Sequence, residues 1–391
     1  MILAILGRQP AIGAAELERK YGRDDVTWFS DQAVTVEAKA FDIQRLGGTT
    51  KAGVVSLKID KADWQATSQK IVQHYLRRWS SFEGKLTLGI SAYGFPADGH
   101  NVQKAGIILK QKLKKNGVSV RLVPNSNAAL NTAVSHHNKL GLSDNKVELL
   151  VVRSRNGRVL VAESTGAQNI TAYAKRDQER PKRDAFVGML PPKLAQIMIN
   201  LAITQKSDAS TQTILDPFCG TGVILQEAAL NGYRVYGTDL SEKMIHYSDN
   251  NLTWLQNEQR ERYDWNLHEG DAMDTAWQQP ISAVVAETYL GQPFSAAPSP
   301  TKLEQVRGNC NHIITTFLEN IIPQLESGAP LCLAVPAWRD ANGAFIQLPL
   351  VTKLESFGVK QIELKTARPD DLLYARPDQI VARQLLLLEK S

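Results

Sequence analysis

The feature that most limits how this chain can fold is a segment in which an apolar run ends in an acid and passes through two glycines into a second apolar run. It reads Thr213-Ile-Leu-Asp-Pro-Phe-Cys-Gly-Thr-Gly-Val-Ile-Leu225. Glycine lets the backbone adopt positive φ angles and approach a ligand closely, and a helix start presents unpaired N–H groups. Because position 225 is Leu, the third glycine of the dinucleotide pattern G-x-G-x-x-G is missing. The segment predicts a strand, a ligand-binding turn and a helix; the alternative interpretation is a tight turn without a ligand.

Acidic residues follow two later predicted strands. Asp239 ends the run Val235-Tyr-Gly-Thr-Asp239, and Asp271 lies within His268-Glu-Gly-Asp-Ala272, after the next strand. Ligands of open α/β sheets bind at the carboxyl ends of the strands, so these two acids and Asp216 should share one crevice. There Asp239 would accept hydrogen bonds from ribose hydroxyls. The alternatives are an N-cap for the following helix at Asp239 and a plain turn at Asp271.

Strands and helices alternate along the second half of the chain. From Pro192 onward the alternation predicts an α/β fold with a mostly parallel, doubly wound sheet. A helix near 345–356 and strands over 359–364 and 380–388 are predicted to close it. The first 80 residues suit the β-α-β-β-α-β order of a ferredoxin-like domain, and the pattern begins again at Lys85. A chain of 391 residues is expected to form two or three domains.

Basic residues form two groups that could contact the phosphate backbone of a nucleic acid. A net charge of +5 permits a polyanionic partner without requiring one. In the helix predicted over 102–115, the group comprises Lys110, Lys114 and Lys115. In the irregular segment 174–184, it comprises Lys175, Arg176, Arg180, Lys182 and Arg183. The alternatives are a solvated helix face for the first group and a solvated interdomain linker for the second.

Cysteine usage and hydropathy limit the cellular setting. The three cysteines, Cys219, Cys310 and Cys332, form no C-x-x-C pair, which disfavours zinc or a disulfide framework. A reducing cytoplasm without a bound metal is therefore expected. No apolar stretch approaches the roughly 20 residues of a membrane helix, and the apolar N-terminus lacks the flanking features of a signal peptide. The sequence predicts a cytoplasmic protein that does not span a membrane.

The string Asp216-Pro-Phe-Cys-Gly-Thr-Gly222 is similar to the first motif of S-adenosylmethionine-dependent methyltransferases that act on amino groups of nucleic-acid bases. The chain as a whole resembles the THUMP-containing tRNA guanine-N2 methyltransferases. The stretch from Arg176 to Pro192 and the segment from Leu373 to Arg383 share in this resemblance. It implies four regions in chain order: a ferredoxin-like domain over 1–80, a THUMP-like RNA-binding domain over 81–165, a linker over 166–190 and a Rossmann-like methyltransferase domain over 191–391.

The resemblance also implies a cofactor, a substrate and a set of contacts. The cofactor would be S-adenosylmethionine, and the substrate would be the exocyclic amine of a guanine in tRNA. Some members of this family need a small activator protein. The residues at the cofactor positions are Asp216, Phe218, Gly220, Gly222, Asp239, Asp271 and Ala272.

The fourth predicted strand, 281–286, leads into the segment where this sequence departs from the family pattern. Amino-methylating enzymes carry Asp or Asn, two prolines and an aromatic residue here, whereas this chain has Glu287, Thr288, Tyr289 and Leu290. The first three are the predicted catalytic residues, with Glu287 holding the amine and Tyr289 stacking on the flipped base. Two alternatives stay open: a catalytically silent relative that binds tRNA, and a DNA amino-methyltransferase.

Overall fold

A computed structural model describes most of the chain, and its contacts divide the chain into two compact units. The residues described are 1–184, 190–204, 208–278, 280–292, 294, 298–340, 342–377 and 379–391. The first unit comprises Met1–Leu17 and Asp24–Ala172, and the second comprises Glu18–Arg23 and Tyr173–Ser391. Within the described ranges, every helix is too short or too polar to serve as a membrane span.

The first unit is built on one continuous sheet of eight strands. These are β1 (Ile2–Leu6), β2 (Val26–Ser30), β3 (Ala33–Val36), β4 (Thr49–Ile59), β5 (Lys85–Tyr93), β6 (Ser119–Leu122), β7 (Lys146–Arg153) and β8 (Val159–Ala167). The helices of this half are α1 (Pro10–Tyr21), α2 (Trp64–Arg78), α3 (Gly99–Lys115) and α4 (Thr132–His137). The strand order is β2-β3-β1-β4-β8-β7-β5-β6, and only β5 pairs in parallel, with β6 and β7.

Two features of this sheet differ from the expected arrangement of the first 80 residues. Strand β2 was not predicted, because only Val26 of its five residues is buried and burial does not alternate along it. With β2 present, α2 follows three consecutive strands, so the element order is not β-α-β-β-α-β. In addition, β4 pairs with β8 across the predicted boundary between residues 80 and 81. The limits of separate N-terminal domains therefore stay a prediction.

A buried charged network joins the middle strands of the first unit. The Lys51 ammonium donates hydrogen bonds to the Glu148 carboxylate and to the Leu130 carbonyl, the latter over 2.6 Å. Ser91 donates to Glu148 over 2.5 Å. The Lys51 and Glu148 side chains are only 2% and 1% exposed. Burial lowers the pKa of Lys51, and the negative charge of Glu148 opposes that shift. Each charge is therefore tolerated inside the sheet because the other one is present.

Removing one partner of this network should destabilise the protein strongly. We expect Lys51→Met to lower the free energy of unfolding by about 3–5 kcal/mol, because it leaves the Glu148 carboxylate buried without a cation. Lys58→Met, at an exposed position of the same strand, is the matched control and should change it by less than about 0.5 kcal/mol. Urea unfolding followed by circular dichroism measures both. Equal stabilities of the two variants would contradict this account.

The second unit is built on a nine-stranded sheet. Its strands are β9 (Thr213–Asp216), β10 (Arg234–Asp239), β11 (Trp265–Glu269), β12 (Ala283–Glu287), β13 (Pro330–Arg339), β14 (Phe345–Ile346), β15 (Val359–Gln361), β16 (Leu373–Tyr374) and β17 (Val381–Lys390). The helices of this half are α5 (Ile170–Gln178), α6 (Pro192–Ala202), α7 (Val223–Leu230), α8 (Glu242–Gln259) and α9 (Pro300–Ile321).

The strand order of this sheet is β11-β10-β9-β12-β13-β17-β15, with β14 beside β13 and β16 beside β17. The first five strands in that order are parallel, and β17 runs antiparallel to both of its neighbours. The predicted doubly wound sheet with a closing antiparallel pair is confirmed. The strands that follow β9 in the chain, β10 and β11, lie on one side of it, whereas β12 and β13 lie on the other side. At this switch point a crevice opens between the carboxyl ends of β9 and β12.

The predicted helix near 345–356 is wrong. The structure has the short strand β14 there, followed by a 3-10 helix over Pro349–Phe357. The 3-10 helix is interrupted at Lys353, where φ is −128°, and it ends at Gly358, where φ is +78°. The apolar spacing that suggested an α-helix instead reflects the way Leu350 and Leu354 point into the core. The predicted linker also contains regular structure, because α5 occupies its first part.

Candidate functional site

The turn between β9 and α7 depends on its two glycines. Gly220 has a φ of +52° and Gly222 a φ of +77°, a left-handed conformation that side chains disfavour. A Cβ atom on Gly222 would also lie 2.8 Å from the Ser248 hydroxyl oxygen. The turn is closed by a hydrogen bond of 2.8 Å from the Gly222 N–H to the Cys219 carbonyl. The sequence-based expectation of a strand, a glycine turn and a helix is met.

Carboxylates stand at the ends of successive parallel strands. Asp216 ends β9 and Asp239 ends β10, and the register pairs Asp216 with Gly237 on the neighbouring strand. Asp239 accepts hydrogen bonds from the Gly220 N–H over 2.9 Å and from the Ser241 N–H over 3.0 Å. Its carboxylate therefore joins the glycine turn to the residue before α8, whereas the N-cap of that helix is Ser241 itself, so the N-cap alternative for Asp239 is wrong.

The third predicted acid lies beyond the next strand. Asp271 follows β11 by two residues and accepts a hydrogen bond of 2.9 Å from the Met273 N–H. The backbone N–H of Gly270 donates to the Asp239 carbonyl over 3.0 Å, which keeps the two strand ends together. Ala272 is buried, whereas Asp271 is half-buried. Asp271 therefore lies in a turn, and this turn is at the carboxyl edge of the sheet.

Charge is concentrated at this edge of the sheet. Burial raises the pKa of Asp216 well above its usual range, and the negative charges of Asp239 and Glu287 add to the effect, while the Phe218 N–H opposes it. Burial also raises the pKa of Asp239, against the hydrogen bonds from Ser241 and Gly220. Crowded carboxylates with raised pKa values are stabilised by a nearby positive charge. The arrangement therefore favours a cationic ligand.

Two buried polar residues of α8 hold the glycine turn in place through hydrogen bonds to its carbonyl groups. Ser248 donates a hydrogen bond of 2.9 Å to the Gly220 carbonyl, and Asn251 donates one of 2.8 Å to the Thr221 carbonyl. Both side chains are fully buried. Sequence reasoning missed these residues. Their spacing of three places them on one helix face, and polar residues on the buried face of an amphipathic helix were the available signal.

Apolar residues complete the surroundings of the turn. Phe218 packs edge-on against Phe317, with ring centroids 5.1 Å apart, so its ring anchors the turn to the core. Leu240, directly after Asp239, is 70% exposed, and sequence reasoning did not single it out. An exposed leucine next to Asp239 offers an apolar surface beside a polar one.

The three predicted catalytic residues have different surroundings. Glu287 ends β12, and its carboxylate accepts a hydrogen bond from Arg383 of β17. Thr288 is buried and bonds twice to the Ala334 carbonyl, through its N–H over 3.0 Å and its hydroxyl over 3.2 Å. Tyr289 is 41% exposed. Glu287 therefore lies at the edge of the sheet near Asp216, and the Tyr289 ring is partly exposed. The Thr288 hydroxyl instead donates its hydrogen bond within the sheet.

Most basic residues of the segment 174–184 are engaged within the second unit. Lys175 pairs with Glu258, and Arg176 donates two hydrogen bonds, of 2.5 and 3.1 Å, to Glu227. Arg180 is only 3% exposed. Lys182 is half-buried and Arg183 is exposed. Phosphate contact by these five residues stays a prediction, and the burial of Arg176 and Arg180 is a feature that the charge pattern did not indicate.

The predicted basic group on α3 lies in the first unit. Lys114 and Lys115 are exposed in the last turn of the helix, and Lys110 is half-buried. The opposite face of α3 packs into the core through Val102, Leu109 and Leu113. The basic residues share the outer side of the helix with Ile107 and Ile108, which are 41% and 38% exposed, and phosphate contact by the lysines stays a prediction.

Comparison with known proteins gives a match over the middle of the chain. Residues 180–278 match the family described as "RMKL-like, methyltransferase domain". The tRNA (guanine(10)-N2)-dimethyltransferase of Methanothermobacter thermautotrophicus is 32% identical over 169 residues, which are 42% of this chain and 44% of that protein. The chain thus aligns with less than half the length of this curated relative.

Solved structures align with the whole chain at low identity. TrmN from Thermus thermophilus has a TM-score of 0.55 at 16% identity, covering 100% of this chain and 99% of that one. SMU.472, complexed with SAH, has a TM-score of 0.51 at 9% identity, covering 100% and 98%. A likeness at such identities shows a shared fold.

The strand order and the glycine turn give the second unit a Rossmann-like fold, and residues 180–278 within it match the methyltransferase-domain family. The matched segment contains the turn and the three acids Asp216, Asp239 and Asp271. It ends before β12, so the altered catalytic segment at Glu287 lies outside it.

Proposed function

We propose that this protein binds S-adenosylmethionine at the carboxyl edge of the second sheet and methylates the exocyclic amine of a guanine in tRNA, in the cytoplasm. The observation that carries the proposal is the meeting of Asp216, Asp239 and Glu287 beside a glycine turn with positive φ angles. The methyltransferase-domain match and the named activity of the Methanothermobacter relative support it.

The residues at this edge fit the chemistry of that cofactor. Its sulfonium and ammonium groups are cations, which would stabilise carboxylates whose pKa values burial and mutual repulsion have raised. Asp239 would accept hydrogen bonds from the ribose hydroxyls, and Asp271 would accept one from the adenine amine. Leu240 would offer its exposed side chain to the adenine ring. The N–H groups at the start of α7 would face the cofactor's carboxylate.

Methyl transfer at this site would depend on positioning. When bound, the cofactor supplies a methyl group on a positively charged sulfur, and as the amine nitrogen bonds that carbon, the carbon–sulfur bond breaks and its electron pair stays on sulfur. Glu287 would hold the amine by accepting an N–H, and would take the proton that the nitrogen releases after the new bond forms. Tyr289 would stack on the base that is turned out of its helix. Correct placement of two reactants is the main source of rate in such a step.

The RNA-binding part of the proposal depends on exposed cations. Lys114 and Lys115 lie in the last turn of α3, and Arg183 lies in the segment before the methyltransferase sheet. Each cation that meets a phosphate displaces counterions, so tRNA binding should weaken as the salt concentration rises. The resembling family also implies that a small activator protein binds. This binding is an addition to the proposal and is tested with purified components.

One observation favours a second candidate function, a protein that binds tRNA without modifying it. The Oε1 atom of Glu287 is already bonded to Arg383, and the prolines expected after the acid are absent. A carboxylate fully committed to an arginine could not hold an amine. The second candidate therefore predicts cofactor or tRNA binding without turnover.

The proposed reaction is tested with labelled S-adenosylmethionine and unmodified tRNA. We expect the label to enter the tRNA, and mass spectrometry of the digested nucleosides to show methylation at the guanine exocyclic amine. Cofactor binding without transfer would favour the silent relative. Label in duplex DNA, with none in tRNA, would favour a DNA amino-methyltransferase.

Asp239 should be essential for cofactor affinity. We expect Asp239→Ala to weaken cofactor binding by about 100-fold or more. The reason is that the two hydrogen bonds from the ribose hydroxyls to the charged carboxylate are lost. Asp264→Ala is the matched control: Asp264 is exposed and precedes β11, at the opposite edge of the same sheet. Isothermal titration calorimetry measures both variants. An unchanged affinity in Asp239→Ala would remove this residue from the ribose role.

Tyr289 should act through its ring. We expect Tyr289→Ala to lower kcat/KM for tRNA by about tenfold to 100-fold, because base stacking on an aromatic ring contributes about 1–3 kcal/mol. Tyr289→Phe keeps the ring and should retain nearly full activity. Steady-state methyl transfer measures both variants, and cofactor affinity should be the same in each. A loss in Tyr289→Phe as large as in Tyr289→Ala would assign the role to the hydroxyl and contradict stacking.

A further inference from the structure

The pairing of Glu287 with Arg383 joins two strands that are not neighbours. Glu287 ends β12 and Arg383 lies on β17, with β13 between them. Arg383 is aligned with Pro336 on β13, two residues beyond Ala334, which faces Glu287. The arginine side chain therefore reaches across the end of β13 to the carboxylate. Both side chains are nearly buried, with 8% of Arg383 and 14% of Glu287 exposed.

The pair uses one oxygen of the carboxylate. The Arg383 Nε donates to Oε1 of Glu287, and among the described residues no hydrogen bond to Oε2 is found. A carboxylate has lone pairs on both oxygens, so the second oxygen can still accept an N–H. The bond to Arg383 therefore holds Oε1 against the guanidinium and leaves Oε2 as the oxygen that can accept from a substrate.

The pair also controls the charge of Glu287. Burial raises the pKa of Glu287, and the positive charge and hydrogen bond of Arg383 oppose that shift. The negative charge of Glu287 in turn raises the pKa of Asp216 on β9. The residues of β13 that pair with β12, Leu331 to Ala334, carry no charge at neutral pH. The Lys193 ammonium of α6 lies over the Tyr173 ring. Without Arg383, the carboxyl would keep its burial and lose the charge that opposes it, which favours protonation.

We propose that Arg383 is a positioning residue for methyl transfer: it holds the Glu287 carboxylate charged and turned so that Oε2 accepts the N–H of the target amine. This inference rests on the proposed function and adds a residue that the altered segment itself does not contain. In this arrangement the arginine makes up for the longer acid and the missing prolines. A protonated Glu287 would keep only a weaker, uncharged acceptor and could not take the proton that the amine releases.

The pH dependence of turnover tests this role. In Arg383→Gln we expect kcat at neutral pH to fall about tenfold or more, because one pH unit changes the ionised fraction of an acid up to tenfold. Turnover should rise with pH as Glu287 ionises, so the midpoint of the rate–pH profile should move upward by about one pH unit or more. Arg383→Lys keeps the charge and should keep the wild-type midpoint, with reduced kcat and little change in KM for tRNA.

Two controls separate positioning from general damage. Lys360→Met removes the ion pair of 2.9 Å between β15 and Glu389 of β17, away from the site, and should leave the profile unchanged. Glu287→Gln has no group that titrates and should be slow at every pH, with cofactor affinity preserved in calorimetry. If Arg383→Gln does not fold, Arg383→Lys alone decides, because a change confined to KM would overturn the proposal.

The outcomes also separate this inference from the proposed function. A wild-type protein that binds cofactor and transfers no methyl group overturns the proposed function, whatever Arg383 does. A wild-type protein that methylates tRNA, together with an Arg383→Gln variant whose profile keeps its midpoint, overturns only the role of Arg383. An upward midpoint in Arg383→Gln with the wild-type midpoint in Arg383→Lys supports both.

Discussion

The hydrogen bond from the Gly220 N–H to the Asp239 carboxylate is the interaction on which the candidate site depends. It spans 2.9 Å and ties the turn after β9 to the end of the neighbouring strand. The bond requires the left-handed backbone of Gly220, and the second oxygen of Asp239 accepts the Ser241 N–H at the start of α8. One carboxylate thus sets the position of a turn, a strand end and a helix start. Strand register sets the spacing of Asp216 and Asp239, and this bond holds the glycine turn against them.

The sequence predicted the parallel strands of the second sheet because they carry local signals, whereas the two-residue strands β14 and β16 carry none. Thr213–Asp216 is a short apolar run that ends in an acid, and Trp265–Glu269 alternates apolar and polar residues. Prediction failed where the local pattern was ambiguous. The segment before β15 has helical spacing but is interrupted at Lys353, and β2 has too little burial to show alternation. Tertiary contacts, which no local window contains, decided both regions.

The candidate site was predictable in its acids and not in the partners of those acids. Asp216 and Asp239 end strands, and parallel strands end at a common edge, so topology alone brings them together. The residues that hold the glycine turn and Glu287 are distant in the chain: Ser248 and Asn251 of α8 bond the turn, and Arg383 of the last strand bonds Glu287. Which residues of those elements face the site depends on helix rotation and strand register. These are fixed only when the sheet has formed.

The segment after β12 shows how tertiary contacts can replace a local constraint. Prolines restrict φ and so hold a backbone in place by themselves, but this chain has Thr288 and Tyr289 at those positions. Thr288 instead bonds twice to the Ala334 carbonyl of β13, which holds the backbone against the neighbouring strand. Glu287 is held in the same way by Arg383 of β17. The geometry of the segment is therefore supplied by strands that follow it in the chain, so the loss of the prolines alone does not imply the loss of an ordered site.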